Sequence, residues 1–312
     1  MPEKRRKKLN DLVIRTVNLT KKFGSKIAVN DLNLNVRRGE IYGFVGKNGA
    51  GKTTAMKLIL NLLNPTEGDV YLFGEKTSPA ALKRTGSLIE APGLYADCSA
   101  YENLLRFSYL SDADVEDIPR LIRLAGLEEA KDKKVKAYSL GMKQRLGIAV
   151  ALIGNPELVI LDEPINGLDP QGIKEVRDLI TSVNRSRGTT FFISSHILSE
   201  LEKVATKCGI LENGVLLDEI DTENITIKTA KNVEIVCDQI AVAERIINET
   251  FGLRTSVNNS KITAYGAESV TKEIIEALVA QNVGVRFVTP LAEDFESYFI
   301  GKTGGQNDVG TV

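Results

Sequence analysis

Apolar positions along this chain follow two periods, and the switches between them mark out its elements. Leu32, Leu34 and Val36 alternate with Asn33, Asn35 and Arg37, the period of two that a half-exposed strand shows. This predicts a strand over 27–36, preceded by another over 12–19, with Thr20-Lys21-Lys22-Phe23-Gly24 between them. Ile41-Tyr42-Gly43-Phe44-Val45 reads as a short buried strand, and Leu158-Val159-Ile160-Leu161 as a strand of a sheet covered on both faces. Residues 67–73 read as a turn and a strand, 189–193 as a further strand, and 208–217 as a closing hairpin around Asn213-Gly214. Helical spacing takes over elsewhere. A helix is expected over 54–61. Leu104, Leu105, Leu121, Ile122, Leu124 and Leu127 make 99–136 a small helical insertion, opened by a capping box of Ser99 and Glu102. Leu146, Ala149, Val150 and Ile153 form the apolar stripe of another helix, which Asn155-Pro156 breaks. Strands and helices taking turns in this way predict an α/β core.

Beyond residue 221 the pattern starts afresh. A strand over 233–236, a helix over 240–251 with Ile246 and Ile247 inward, a hairpin turned at Asn258-Asn259, a helix carrying Ile274, Ile275 and Leu278, and a strand over 283–288 follow one another. That order predicts a small α+β, ferredoxin-like module. Phe295, Tyr298 and Phe299 read as a helix face packing onto it, with a disordered tail after Gly301. No cluster of chemical residues marks this part, so dimerisation or regulation is assigned to it by default. The expected organisation is a basic tail at 1–10, a catalytic domain at 11–221, a second domain at 222–301 and a tail at 302–312.

Composition narrows the classes. A chain of 312 residues exceeds one ordinary domain. Forty basic against 41 acidic residues leave a net charge of −1, which argues against a nucleic-acid partner. The run Lys4-Arg5-Arg6-Lys7-Lys8 reads as a solvated tail, or as a patch drawn to an anionic membrane at about 1 kcal/mol per charge. Cys98, Cys208 and Cys237 are scattered and odd in number, so neither a zinc site nor a disulfide framework is implied. No apolar run is long enough to span a membrane, and no signal-peptide core follows the basic start. The expected location is cytoplasmic.

The chemistry gathers at strand ends. Gly46-Lys47-Asn48-Gly49-Ala50-Gly51-Lys52-Thr53-Thr54 fits G-x-x-x-x-G-K-[ST] between an apolar strand and a helix, the setting that makes the pattern a phosphate site. Its glycines let backbone N–H groups close around phosphates at a helix N-terminus. Lys52 is placed to reach the β- and γ-phosphates and the Thr53 hydroxyl to reach Mg²⁺. Glu90 ends a short apolar segment just before a Pro-Gly turn, which puts a carboxylate at the sheet mouth where ligands sit. Ser139 and Gly141 stand at a helix start, which serves either as an ordinary N-cap or as a second anion site. Asp162 and Glu163 follow a buried strand. Alternation would send them to opposite sides, Asp162 toward a hydrated Mg²⁺ and Glu163 toward an attacking water. Asp169 sits in an exposed turn. His196 is the only histidine and follows a core strand at the same edge as Glu163.

Phosphate loop, carboxylate loop, Ser-x-Gly helix start, Asp-Glu strand end, Leu-Asp turn and single His, in that order over about 12–220, resemble the nucleotide-binding subunit of an ABC transporter. The resemblance implies a P-loop ATPase fold with a mixed core sheet, an antiparallel β subdomain and a helical subdomain. It implies that Phe23 stacks on adenine and that 46–54, with Gly46, Asn48, Gly49, Gly51, Lys52, Thr53 and Thr54, cradles ATP. It further implies Thr53, Asp162 and Glu90 around Mg²⁺, Glu163 as general base, His196 on the γ-phosphate, and Asp169 in the loop that communicates across a dimer. Ser139 and Gly141 would contact nucleotide held by the opposite subunit, in a homodimer or heterodimer docked on separately encoded transmembrane permease subunits at the inner face of the membrane. Two departures stand out. Tyr138-Ser139-Leu140-Gly141-Met142 replaces the usual Leu-Ser-Gly-Gly-Gln, and Glu90 replaces the usual Gln of the lid loop. Both resemble the subgroup that exports bacitracin and lantibiotics. The rival expectations are an ABC ATPase acting on DNA or ribosomes without a membrane partner, and an ATP-binding module without turnover, against which Glu163 and His196 argue.

Overall fold

The phosphate-loop strand, β4 (Ile41–Val45), is buried at every position, and so is β8 (Leu158–Leu161). Only a sheet covered on both faces buries consecutive residues of a strand, and both lie inside one. In this computed structural model, which describes residues 11–222, 232–258 and 261–291 together with Phe299 and Thr303, the chain divides into two compact units, Met1–Ile220 and Asp221–Val312.

The first unit holds two sheets. The core sheet runs β11-β10-β4-β9-β8-β7, built from β7 (Thr85–Leu88), β9 (Thr190–Ser195), β10 (Lys207–Glu212) and β11 (Val215–Asp221) besides β4 and β8. Its pairings from β10 through β4, β9 and β8 to β7 are parallel. Asn213 and Gly214, at φ 49° and 81°, form the tight turn into β11, where positive φ at both positions is what a two-residue hairpin requires. The second sheet is antiparallel, ordered β2-β1-β5-β6, with β3 also on β1; its strands are β1 (Leu12–Phe23), β2 (Lys26–Leu32), β3 (Asn35–Arg37), β5 (Glu67–Leu72) and β6 (Glu75–Lys76). Helix α1 (Lys52–Ile59) contributes Ala55, Met56, Leu58 and Ile59 to the core that also takes Val13, Leu19, Leu34, Tyr42 and Phe44.

Local expectations shift in three places. The strand expected over 27–36 is two strands, broken at Asn33 and Leu34, because the Asn33 amide turns to Asn18 N–H and the Asp31 carbonyl. The alternation survives the break: Leu32, Leu34 and Val36 are buried, and Asn33, Asn35 and Arg37 exposed. Thr20 to Phe23 continue β1 rather than forming a connection. The helical part is α3 (Ala100–Leu110) and α4 (Ile118–Leu124), joined by one 3₁₀ turn and followed by two more, after a short α2 (Pro79–Lys83). The Ser99–Glu102 capping box is present in both directions. Helix α5 (Leu140–Ala151) departs from its expected stripe: Gln144, Leu146, Gly147, Ile148, Ala149 and Ala151 are buried, while Val150 is only half-buried. It is hemmed in by α3, α4, β7 and α6 (Pro170–Arg187), so no single face describes it.

The second unit is a four-stranded antiparallel sheet ordered β13-β14-β12-β15, from β12 (Asn232–Cys237), β13 (Thr255–Asn258), β14 (Lys261–Ala264) and β15 (Val285–Leu291). Helices α8 (Ile240–Phe251) and α9 (Thr271–Ala280), numbered after α7 (Leu198–Leu201), give the β-α-β-β-α-β order of a ferredoxin-like module. Val233, Ile235, Cys237, Ala243, Ile247, Ile262, Ile274 and Leu278 make its core; Ile246 and Ile275 sit at the margin. The basic run at 4–8, Asn259, Phe295, Tyr298 and the tail from 304 lie outside the described residues. Phe299 and Thr303 are buried.

Candidate functional site

Parallel register brings the chemistry to one edge. Val45 pairs with Ser195 and Leu161 with Ile193, so β4, β8 and β9 end side by side, and the residues just past them, Gly46, Asp162 and His196, share that edge. The loop from 46 to 51 is tightly held. A Cβ at Gly46 would stand 2.5 Å from the Leu211 carbonyl oxygen. Gly51, at φ 108°, has room for none, with the Ala28 carbonyl oxygen 2.3 Å from where it would be.

Lys52 opens α1, and its side chain is folded back and buried. Its ammonium donates to the Gly46 carbonyl at 2.6 Å and the Lys47 carbonyl at 3.3 Å. It also faces Glu163 Oε1 at 3.1 Å. That carboxylate oxygen is buried and, among the described residues, has no hydrogen-bond partner, so the contact with Lys52 is one of charge, not hydrogen-bond geometry. The other oxygen, Oε2, lies 2.8 Å from His196 Nδ1 and accepts the His196 N–H at 3.3 Å.

Asp162 is held from both sides. Its Oδ2 accepts the Thr53 hydroxyl at 2.7 Å and its Oδ1 the Ser194 hydroxyl at 2.6 Å. The Ser194 oxygen accepts the Glu163 N–H at 2.8 Å in turn. Asp162 and Glu163 do separate, but not by strand alternation. The strand ends at Leu161, and Glu163 turns through left-handed backbone at φ 47°. Thr53 and Asp162 offer hard oxygen donors 2.7 Å apart beside the phosphate loop, a donor set that suits Mg²⁺, which keeps its remaining positions for phosphate and water. Among the described residues no cluster of three or more His, Cys, Asp or Glu forms a self-sufficient metal cage.

Other expected residues stand apart. The Glu90 carboxylate does not join Thr53 and Asp162; it lies 2.6 Å from Lys57 Nζ. Ser139 is the N-cap of α5, its oxygen accepting the Met142 N–H. Asp169 caps α6 by accepting the Gly172 N–H at 2.9 Å. Gly141 lies against Gly172 and Leu168, so these two helix starts form one surface. Phe23 ends β1 half-exposed, with Lys21 Nζ 5.0 Å from its ring centre. Among the described residues no hydrogen bond or ion pair ties Phe23, Ser139, Gly141 or Asp169 to the Lys52–Glu163 cluster. Two members went unsuspected. Ser194 is fully buried at a strand end level with Asp162, and a polar residue closing an apolar run was its only signal. Lys57 shows only as a helical lysine four residues after Thr53.

Comparison with known proteins points one way. Residues 29–166 match the family model described as ABC transporter. The chain is 39% identical to a bacitracin transport ATP-binding protein of Enterococcus faecalis, over 95% of this chain and 97% of that one. It is 40% identical to a bacitracin transport ATP-binding protein of Bacillus licheniformis over 94% and 98%. A lantibiotic transport ATP-binding protein of Streptococcus pyogenes is 42% identical over 66% of this chain and 90% of its own length. Among solved structures, an ATP-binding cassette captured as a dimer after hydrolysis, bound to ADP and Pi, superposes with a TM-score of 0.60 at 25% identity, covering 67% of this chain and 98% of that one.

Proposed function

The chain belongs to the ABC transporter family as one of its ATP-binding proteins, and from that premise we propose that it powers the export of peptide antibiotics such as bacitracin or lantibiotics. The premise brings nucleotide binding and ATP hydrolysis with it. The observation that carries the residue assignment is the convergence of Lys52, Thr53, Asp162, Glu163 and His196 on one sheet edge.

In this reading the backbone N–H groups of the 46–54 loop take the phosphate oxygens, and Lys52 exchanges the Gly46 carbonyl for the β- and γ-phosphates. Glu163 then leaves Lys52 and accepts the proton of the attacking water, with its Oε2 held by His196. Thr53 and Asp162 would hold Mg²⁺, which when bound would neutralise charge on the phosphates. Phe23, exposed at the end of β1, stacks on adenine. The joint surface of Ser139, Gly141 and Asp169 faces the nucleotide of a second ATPase subunit, so that two chains close around two nucleotides. The second unit serves dimerisation or regulation. Among the described residues no helix is long and apolar enough to cross a membrane. This reading assigns the transport path to separately encoded permease subunits, which hold this chain at the inner face of the membrane. The close relatives named for bacitracin and lantibiotic transport support the cargo class.

The test is to tag the full chain at its C-terminus, solubilise native membranes gently and identify what co-purifies. A multi-spanning membrane protein is the expected partner, and loss of the pair should sensitise cells to peptide antibiotics. Ribosomes or DNA in its place would leave the ATPase chemistry standing and overturn the transport reading.

A further inference from the structure

We propose that Lys57 is the positioning partner of Glu90, a built-in counter-charge that lets a carboxylate stand beside a triphosphate where an amide is usual. This rests on the ATP-hydrolysis reading of the site and deepens it. A closed circuit of contacts carries it. Thr53 and Lys57 lie one turn apart on the same face of α1. The Thr53 hydroxyl donates to Asp162 Oδ2 at 2.7 Å, and the Asp162 N–H donates to the carbonyl of Leu88, the last residue of β7, at 2.8 Å. Two residues further on, Glu90 turns back through left-handed backbone at φ 63° and brings its Oε1 to 2.6 Å from Lys57 Nζ. The Glu90 carboxylate has no other hydrogen bond or ion pair among the described residues. The lid segment is thus pinned at both ends to the helix that carries the phosphate loop, once through Asp162 and once through Lys57.

The chemistry follows from the charges. A glutamine at position 90 adds no charge and needs no partner. An ionised glutamate brings a negative charge toward a polyanion, and the attached ammonium cancels it. A lone carboxylate there would repel nucleotide most when no metal screens the phosphates.

Metal-free ATP binding is therefore the discriminating readout, measured by calorimetry on the full chain in EDTA. Lys57→Met should weaken binding about threefold at low ionic strength, the scale of an exposed ion pair. The difference from the wild-type chain should vanish in high salt, because exposed charges are screened. Adding Glu90→Gln to Lys57→Met should restore wild-type binding, and Lys57→Arg should behave as wild type. If Lys57→Met does not fold, Lys57→Gln carries the same test. A Lys57→Met chain that binds metal-free ATP as tightly as wild type would overturn the pairing. So would a weakening that high salt does not remove or Glu90→Gln does not rescue. Wild-type protein that binds no ATP would overturn the functional reading instead.

Discussion

Ser194→Ala is the substitution that bears hardest on how the site is built. One buried hydroxyl does two jobs: it donates to Asp162 Oδ1 at 2.6 Å and accepts the Glu163 N–H at 2.8 Å. Ser194 is 0% exposed and Asp162 6% exposed, so water has no ready route to replace it. Removing the hydroxyl leaves one buried acceptor unpaired, at about 1–3 kcal/mol, and one part-buried donor, the Glu163 N–H, at less. Asp162 keeps the Thr53 hydroxyl on its other oxygen, which offsets part of the loss, so about 1–3 kcal/mol of stability should go. The second consequence is geometric. Glu163 sits at φ 47°, and the bond from its N–H to Ser194 fixes that turn. Once it is released, the carboxylate shifts relative to His196 and the phosphate loop, and a displacement near 1 Å costs about 10²-fold in turnover. Lys52, Thr53 and the loop glycines are untouched, so ATP affinity should change far less than turnover. Urea unfolding reads the first effect as a lower midpoint at constant slope, and steady-state hydrolysis with separate nucleotide titration reads the second. A midpoint shift worth under about 0.5 kcal/mol together with full turnover would refute the bridging role.

Three further outcomes are expected. Glu163→Gln should cut ATP turnover by about 10²–10⁴-fold while nucleotide still binds, as loss of a general base does; undiminished hydrolysis would remove Glu163 from that role. Tyr42 is buried and donates to Glu219 Oε1 at 2.8 Å; burial first, and the Glu219 charge second, hold its phenol well above the ordinary value of 10.0. The unfolded chain releases that proton near the ordinary value and the folded chain does not, so this contribution is complete below pH 10.0 and fades as the pH rises past it. Tyr42→Phe should therefore flatten the alkaline limb of the stability profile, at a cost near 1 kcal/mol at neutral pH from the lost hydrogen bond, as denaturant midpoints across the pH range would show. Gly86→Ala should destabilise the first unit by about 3 kcal/mol or more, because its Cβ would fall 1.8 Å from the backbone oxygen of Ala151, and strand β7 touches α5 through that gap; a melting temperature within a degree of wild type would contradict the packing.

The part of this fold that was legible in one dimension is the part set by local rules. Continuous apolar runs announced β4 and β8 because both faces of their sheet are covered. The β-α-β-β-α-β order of the second unit followed from alternating periods and one hairpin signal. Lys52 and Thr53 were legible from the glycine pattern between a strand and a helix, and Asp162, Glu163 and His196 because they stand just past apolar strands, where a polar or charged group needs a reason. Ser194 and Lys57 escaped the same logic for different causes. Serine at the end of a strand costs nothing unless it is buried, and its burial depends on which strand lies alongside. Register, not composition, sets it level with Asp162, 32 residues away in the chain. Lysine on a helix is ordinary solvent-facing chemistry until a carboxylate from a loop 33 residues further on comes to meet it. Helix α5 misled for a third cause: an amphipathic stripe describes a helix with one covered side, and this one is covered on several. In each case the missing information was a neighbour. The phosphate loop and the strand-end carboxylates say what the site can do. The hydroxyl and the ammonium beside them hold those groups where the chemistry needs them, and neither can be assigned before the strands are placed side by side.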